Sequence, residues 1–131
     1  MLALLTTLWA VTAQAHELQP GLANIIVSED GVAVTLQLTA ETQLAGVDAS
    51  VYRDSNDAPE ADEYDRFRSM PAEELTAEIE AAWSRLSAGL LGDGAGPYAL
   101  TSIEVGDADP EVARDTTLTL IAPFDECARA F

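Results

Sequence analysis

The sequence predicts a small α+β protein that is mainly antiparallel β, with a sandwich-like sheet and one amphipathic helix. Short runs of β-branched residues recur along the chain, and one of them alternates strictly between apolar and other residues. A single long segment shows helical periodicity instead. The hydrophobic fraction of 48% suits a folded chain rather than a disordered one.

The chain begins with an apolar run that is typical of a secretory leader. Residues 2–11 are apolar apart from two threonines, and the Ala-Gln-Ala of residues 13–15 is a pattern that signal peptidase cleaves after. No Lys or Arg accompanies this run, so an uncleaved membrane anchor is the alternative, although a spanning helix needs about 20 apolar residues. We expect a signal peptide over residues 1–15 and one exported, periplasmic domain over residues 16–131.

The clearest pair of strands follows the leader. Leu22–Ser28 contains three consecutive β-branched residues, and the next three residues include the Asp-Gly pair that hairpin turns favour. Residues 32–38 then place Val or Leu at every second position, as a half-buried strand does. These features predict an antiparallel hairpin.

The middle of the chain carries weaker signals. Residues 45–52 predict a third strand, but with little alternation. The acid-rich residues 53–68 predict a loop that ends in one helical turn near residues 64–67.

Residues 69–90 predict the long helix. Ser69 is the expected N-cap, Pro71 suits the first turn, and the two glutamates that follow favour the positive end of the helix dipole. The apolar residues fall at spacings of three and four, which predicts one buried stripe. They are Leu75, Ile79, Ala82, Trp83, Leu86 and Leu90.

Two more strands are expected after the helix, over residues 98–105 and 116–122, joined by a loop that includes residues 106–110. The last residues, Cys127 to Phe131, resemble the start of a further strand. We therefore expect the domain to be truncated at its C-terminus, with an exposed sheet edge.

Charge restricts the possible partners. The formal net charge is −17, from 23 acidic residues against six arginines and no lysine. This charge excludes nucleic acid as a partner and disfavours direct binding to anionic membrane surfaces. An acidic surface can attract cations or a basic partner, or it can keep a protein hydrated in a salty medium, which we favour.

Few residues are candidates for chemistry. His16, the only histidine, would be the N-terminus after cleavage, where its amine and imidazole could chelate copper or nickel. Further ligands for such a site are missing. The acidic residues 54–65 fail as an EF-hand loop, because Ala58 and Pro59 occupy a ligand position and the glycine position. We expect a solvated loop there, with an irregular calcium site as the alternative. A single histidine at the terminus and a single Cys127 support neither a catalytic triad nor an internal disulfide, so we expect no enzyme.

Several stretches together resemble one family of membrane proteins. They are the junction at residues 15–20, the early hairpin, residues 57–66, and the helix with its Ala82-Trp83 pair. The chain resembles the N-terminal extracytoplasmic region of HupE/UreJ-type membrane proteins. The resemblance implies an exported β-rich domain, a missing transmembrane region as partner, and a link to nickel uptake that some members have. The membrane helices that carry the family's metal motifs are absent here, so no transport residue carries over.

The sequence therefore predicts a non-enzymatic periplasmic accessory domain of a HupE/UreJ-like membrane protein, without a cofactor of its own. The alternative is a stand-alone periplasmic protein that binds copper or nickel through His16.

Overall fold

The structure is a computed structural model that describes residues 18–91, 98–109 and 113–123. Within these ranges the chain forms four strands and three α-helices, with a short 3-10 helix at Ser55–Asp57. In chain order the elements are β1 Leu22–Ser28, β2 Gly31–Leu38, α1 Ala40–Ala45, α2 Ala61–Arg68, α3 Ala72–Leu91, β3 Ala99–Val105 and β4 Thr116–Pro123. The leader at residues 1–15 and the strand predicted near Cys127 lie outside the described residues.

The four strands form one antiparallel sheet in the order β1-β2-β4-β3. The predicted hairpin of β1 and β2 is confirmed, with a two-residue turn between Ser28 and Gly31. The backbone φ of Gly31 is 151°, a value that favours glycine over other residues. The two strands predicted after the helix are confirmed as β3 and β4.

The core lies between one face of this sheet and the helices. Val34 pairs with Leu120 across β2 and β4, and both are buried against Leu75 and Ile79 of α3. Each such side chain stabilises the fold by about 1.5–3 kcal/mol when it leaves water. The fold is therefore α+β with an antiparallel sheet, as predicted. Its second layer consists of helices and not of a second sheet, within the part of the chain that the structure describes.

The strand predicted over residues 45–52 is wrong. Residues Ala40–Ala45 form α1 instead, and Gly46 ends it in the left-handed conformation with φ 80°. The chain then turns, because the amides of Val51 and Tyr52 both donate to the Asp48 carbonyl. Residues 46–52 therefore form turns and irregular chain, and the weak alternation of their apolar residues does not mark a strand.

The loop predicted over residues 53–68 is also wrong at its end, where α2 makes two turns rather than one. Tyr64 and Phe67 are both buried, as residues three apart on one helix face can be. The predicted N-cap Ser69 ends α2 instead, since its amide donates to the Asp65 carbonyl. The long helix therefore begins at Ala72, three residues later than predicted, and ends at Leu91.

Candidate functional site

A buried ion pair joins the helical layer to the sheet. Nε of Arg114, just before β4, lies 2.8 Å from Oε1 of Glu41 in the first turn of α1, and each side chain is 1% exposed. Arg114 also donates to the carbonyls of Met70, Arg68 and Phe67 at 2.9, 2.8 and 3.3 Å. One guanidinium thus satisfies carbonyls at the end of α2 and neutralises a carboxylate on α1.

The electrostatics of this cluster favour a structural role. Burial raises the pKa of the Glu41 carboxyl, and the charges of Arg114 and Arg68 partly offset that rise. Burial also raises the pKa of the nearby Tyr64 hydroxyl. Because Glu41 is enclosed, a substrate cannot contact its carboxylate. The cluster holds α1, α2 and the start of β4 together.

The acidic residues after α1 have local roles. The Asp54 carboxylate accepts from the amide of Asn56 at 2.9 Å and caps the 3-10 helix. Asp48 accepts from the amide and the hydroxyl of Ser50 in the same manner. These hydrogen bonds lower the pKa of the Asp48 carboxyl. Asp48 and Asp54 are therefore turn-forming groups.

The described residues contain no candidate metal site. Among residues 18–91, 98–109 and 113–123, no three His, Cys, Asp or Glu side chains are grouped so that they could hold a metal ion. The predicted metal ligand, His16, lies outside these ranges, as does Cys127. The copper or nickel site at His16 stays a prediction.

The most unusual surface of the described chain is β1. All seven of its residues are exposed. Leu22, Ile25, Ile26 and Val27 retain 66%, 62%, 57% and 67% of their accessible surface, respectively. The strand carries no charged residue, in a chain of net charge −17. Contiguous exposed apolar residues of this kind mark interaction sites on soluble domains.

The exposure of β1 has a simple geometric cause. Ile25 pairs with Val34 and Val27 pairs with Val32, so both side chains lie on the helix-facing side of the sheet. Val34 is buried beneath the helices, whereas Ile25 is not, because the helical layer does not extend over β1. The apolar face of the sheet therefore extends beyond the helical layer and onto β1.

A cleft of about 280 Å³ opens where β1 begins. Leu22 and Ala23 line it from β1, Leu38 lines it from β2, and Leu90 closes it from the end of α3. Gln19 and Thr42 are among its polar lining residues. The cleft extends the exposed surface of β1 toward the helices, so that strand and cleft form one surface. We call this surface, made of β1 and the cleft beside it, the β1 surface.

Sequence reasoning placed β1 correctly but missed its exposure. The signal that could have revealed it is the run Ile25-Ile26-Val27, which puts branched apolar residues on both faces of a strand. A run of this kind is typical of a strand buried on both faces, and here neither face is buried.

Comparisons with protein-family models, with curated proteins and with solved structures find no match for this chain. In the described part of the chain, no helix has both the length and the apolar character needed to cross a bilayer. The resemblance to HupE/UreJ-type proteins accordingly stays a hypothesis.

Proposed function

We propose that this chain is a non-enzymatic, periplasmic accessory domain of a HupE/UreJ-like membrane protein and that it works by binding protein through the β1 surface. The observation that carries this proposal is the exposure of four large apolar side chains on one uncharged edge strand. In the family that the chain resembles, such a domain precedes a bundle of transmembrane helices, and some members are associated with nickel uptake.

The distribution of charge supports binding to protein rather than to nucleic acid or lipid headgroups. The chain carries a net charge of −17, which repels phosphate groups on either kind of partner. The β1 surface lacks this charge, so it can approach another polypeptide without desolvating carboxylates.

The buried ion pair supports a structural use of the enclosed charges. Glu41 and Arg114 neutralise each other, and Arg114 also donates to carbonyls of α2, so the groups best placed for acid-base chemistry contribute to the scaffold. A rigid scaffold beside an exposed strand is the arrangement that recognition by strand addition requires.

The reading frame after Phe131 provides the first test. We expect it to continue into several apolar segments of about 20 residues each, the length that spans a bilayer. A stop codon directly after Phe131 would contradict the membrane-protein part of the proposal and leave the β1 surface unexplained by it.

Crosslinking provides the second test. A photoreactive amino acid is placed at Val27 in the gene product as it occurs in its host, and at Glu80, on the exposed side of α3, as the control. We expect Val27 to crosslink to a peptide of the same gene product, identified by mass spectrometry. Equal products from both positions would contradict the proposal.

A further inference from the structure

We propose that two copies of this chain pair through β1, antiparallel about a two-fold axis at Ile25, to form a continuous eight-stranded sheet. This inference rests on the proposed function, because it names the polypeptide that the β1 surface binds. The described chain supplies four strands with β1 at one edge, and the second copy supplies the other four.

The hairpin decides which backbone groups of β1 are available. A two-residue turn closes on a hydrogen-bonded pair, here Ser28 and Gly31, and such pairs alternate along an antiparallel ladder. The amides and carbonyls of Ala23, Ile25 and Val27 therefore point away from β2, toward the open edge. A two-fold axis at Ile25 pairs Ile25 with itself and Ala23 with Val27 of the second copy, which allows about six new hydrogen bonds.

The opposite edge of the sheet is protected against such pairing. β3 has an irregular register between Leu100 and Ser102, and the Thr101 hydroxyl there donates to the Thr119 carbonyl of β4 at 3.0 Å. β3 also carries the charged Glu104. Bulges and charges are the features that protect an edge strand, and β1 has neither. Pairing through β1 alone consumes the unprotected edge, so assembly stops at two copies.

The apolar surface is sufficient for a weak dimer. The exposed side chains and the open backbone edge of β1 would form a small interface, of the kind that weak and transient complexes have. On the helix-facing side, Ile25 of one copy would lie opposite Ile25 of the other, and Val27 would lie opposite Ala23. We therefore expect association that depends on protein concentration.

Charge distinguishes a second copy from a basic partner. Two chains of net charge −17 repel each other, and salt screens this repulsion, because the Debye length falls from about 10 Å at 0.1 M to about 3 Å at 1 M. Self-association should thus strengthen with salt. Binding of a basic peptide would weaken with salt instead.

The first test is sedimentation equilibrium of the exported protein at about 0.1 M and about 1 M NaCl, the two ends of that screening range. We expect a monomer–dimer equilibrium that shifts to dimer at the higher salt. Ile25→Lys should weaken dimerisation by at least about tenfold, as loss of a central apolar contact does. Ile121→Lys, which alters an exposed Ile on β4 away from the edge, should leave it unchanged. A monomer at both salt concentrations, or equal effects of the two variants, would overturn the proposal.

A second pair of variants addresses the backbone contacts. Ile25→Pro removes an amide that points to the open edge, so the hairpin should remain folded while the dimer is lost. Ile26→Pro removes an amide that donates to β2, so it should lower the melting temperature as well. A dimer that survives Ile25→Pro in a folded protein would contradict pairing through β1.

Disulfide trapping tests the two-fold axis. In a Cys127→Ser background, Ile25→Cys should form a covalent dimer on oxidation, since residues opposite each other on paired strands are within disulfide reach. Ile121→Cys is the control and should stay monomeric. Monomeric Ile25→Cys would refute the axis.

If the chain is monomeric but Val27 crosslinks to the membrane region, the dimer fails and the proposed function stands. If the dimer forms but the reading frame stops directly after Phe131, the dimer stands and the membrane-protein part of the proposed function fails.

Discussion

Arg114 and Glu41 form an ion pair at 2.8 Å in the interior, where each side chain is 1% exposed. This contact joins the segment before β4 to the first turn of α1, and it does so where water cannot screen it. The pair also fixes the end of α2. Arg114 donates to the carbonyls of Phe67 and Arg68 in the last turn of α2 and to the carbonyl of Met70 just after it.

Removing Arg114 should therefore destabilise the protein strongly. Arg114→Met leaves Glu41 buried without its partner and leaves carbonyls of α2 unsatisfied, so we expect a loss of about 3–5 kcal/mol in the free energy of unfolding. Arg66→Met breaks the exposed pair of Arg66 with Glu63, which water screens, so it should have a much smaller effect on the free energy of unfolding. Urea denaturation of both variants measures the difference, and equal losses would show that the buried pair has no special role.

The stability should depend on pH through Glu41. Burial in the folded protein raises the pKa of the Glu41 carboxyl above its ordinary value, so the folded state holds this proton more tightly than the unfolded state. The stabilising effect of that proton is complete below the unfolded pKa and is lost as pH rises through the folded pKa. We expect wild type to lose stability relative to Glu41→Gln over this window. A constant difference from pH 4 to 8 in denaturation curves would contradict the raised pKa.

The stripe of α3 should be sensitive to charge. Ile79 is fully buried against the sheet, so Ile79→Asp places an unpaired carboxylate in the core and should prevent folding or cost several kcal/mol. Ala81→Asp, on the exposed side of the same helix, should have a far smaller effect. Thermal unfolding followed by circular dichroism distinguishes the two. A similar melting temperature for both variants would mean that the helix face is misassigned.

Two glycines should respond in opposite directions to alanine. Gly46 ends α1 with φ 80°, so Gly46→Ala should destabilise the protein by about 1 kcal/mol. Gly89 lies within α3, and Gly89→Ala should stabilise it by about 0.5–1 kcal/mol. A Cβ added at either position has no non-neighbouring atom within 4 Å, so new side-chain contacts do not contribute to the change in stability. Urea midpoints report both changes, and a shared sign would refute the backbone explanation.

His16 remains a testable metal ligand. If the leader is cleaved after Ala15, mass spectrometry of the exported protein should find His16 at the N-terminus. Isothermal titration with Cu²⁺ or Ni²⁺ should then show one site that His16→Ala removes. Titration without binding, or binding that His16→Ala leaves intact, would exclude this site.

The sequence revealed the elements whose patterns are long enough to show a period. Residues 32–38 alternate over more than three repeats, and the stripe of α3 extends over several turns, so β2 and α3 were both predicted. The short helices α1 and α2 offer too few turns, and Tyr64 is buried by contacts that its neighbours in sequence do not indicate. The buried partnership of Glu41 and Arg114 could not be predicted, because no local pattern relates residues so far apart.

The β1 surface escaped prediction for a different reason. Periodicity reports which residues can be buried together, and it does not report how far a helical layer extends. Ile25 has the side chain of a core residue on the core side of the sheet, and it is exposed because the cover ends at β2.

The order of the strands affects how this chain can acquire its fold. β2 and β4 form the centre of the sheet, and they come from opposite ends of the described chain. The centre cannot close until residue 123 is available, since a sheet needs both strands of a pair. During synthesis the hairpin and the helices would exist without the strand that completes their core. For a chain that leaves the cytoplasm as we propose, this late closure favours translocation, because the polypeptide has not become compact when its N-terminus reaches the export machinery.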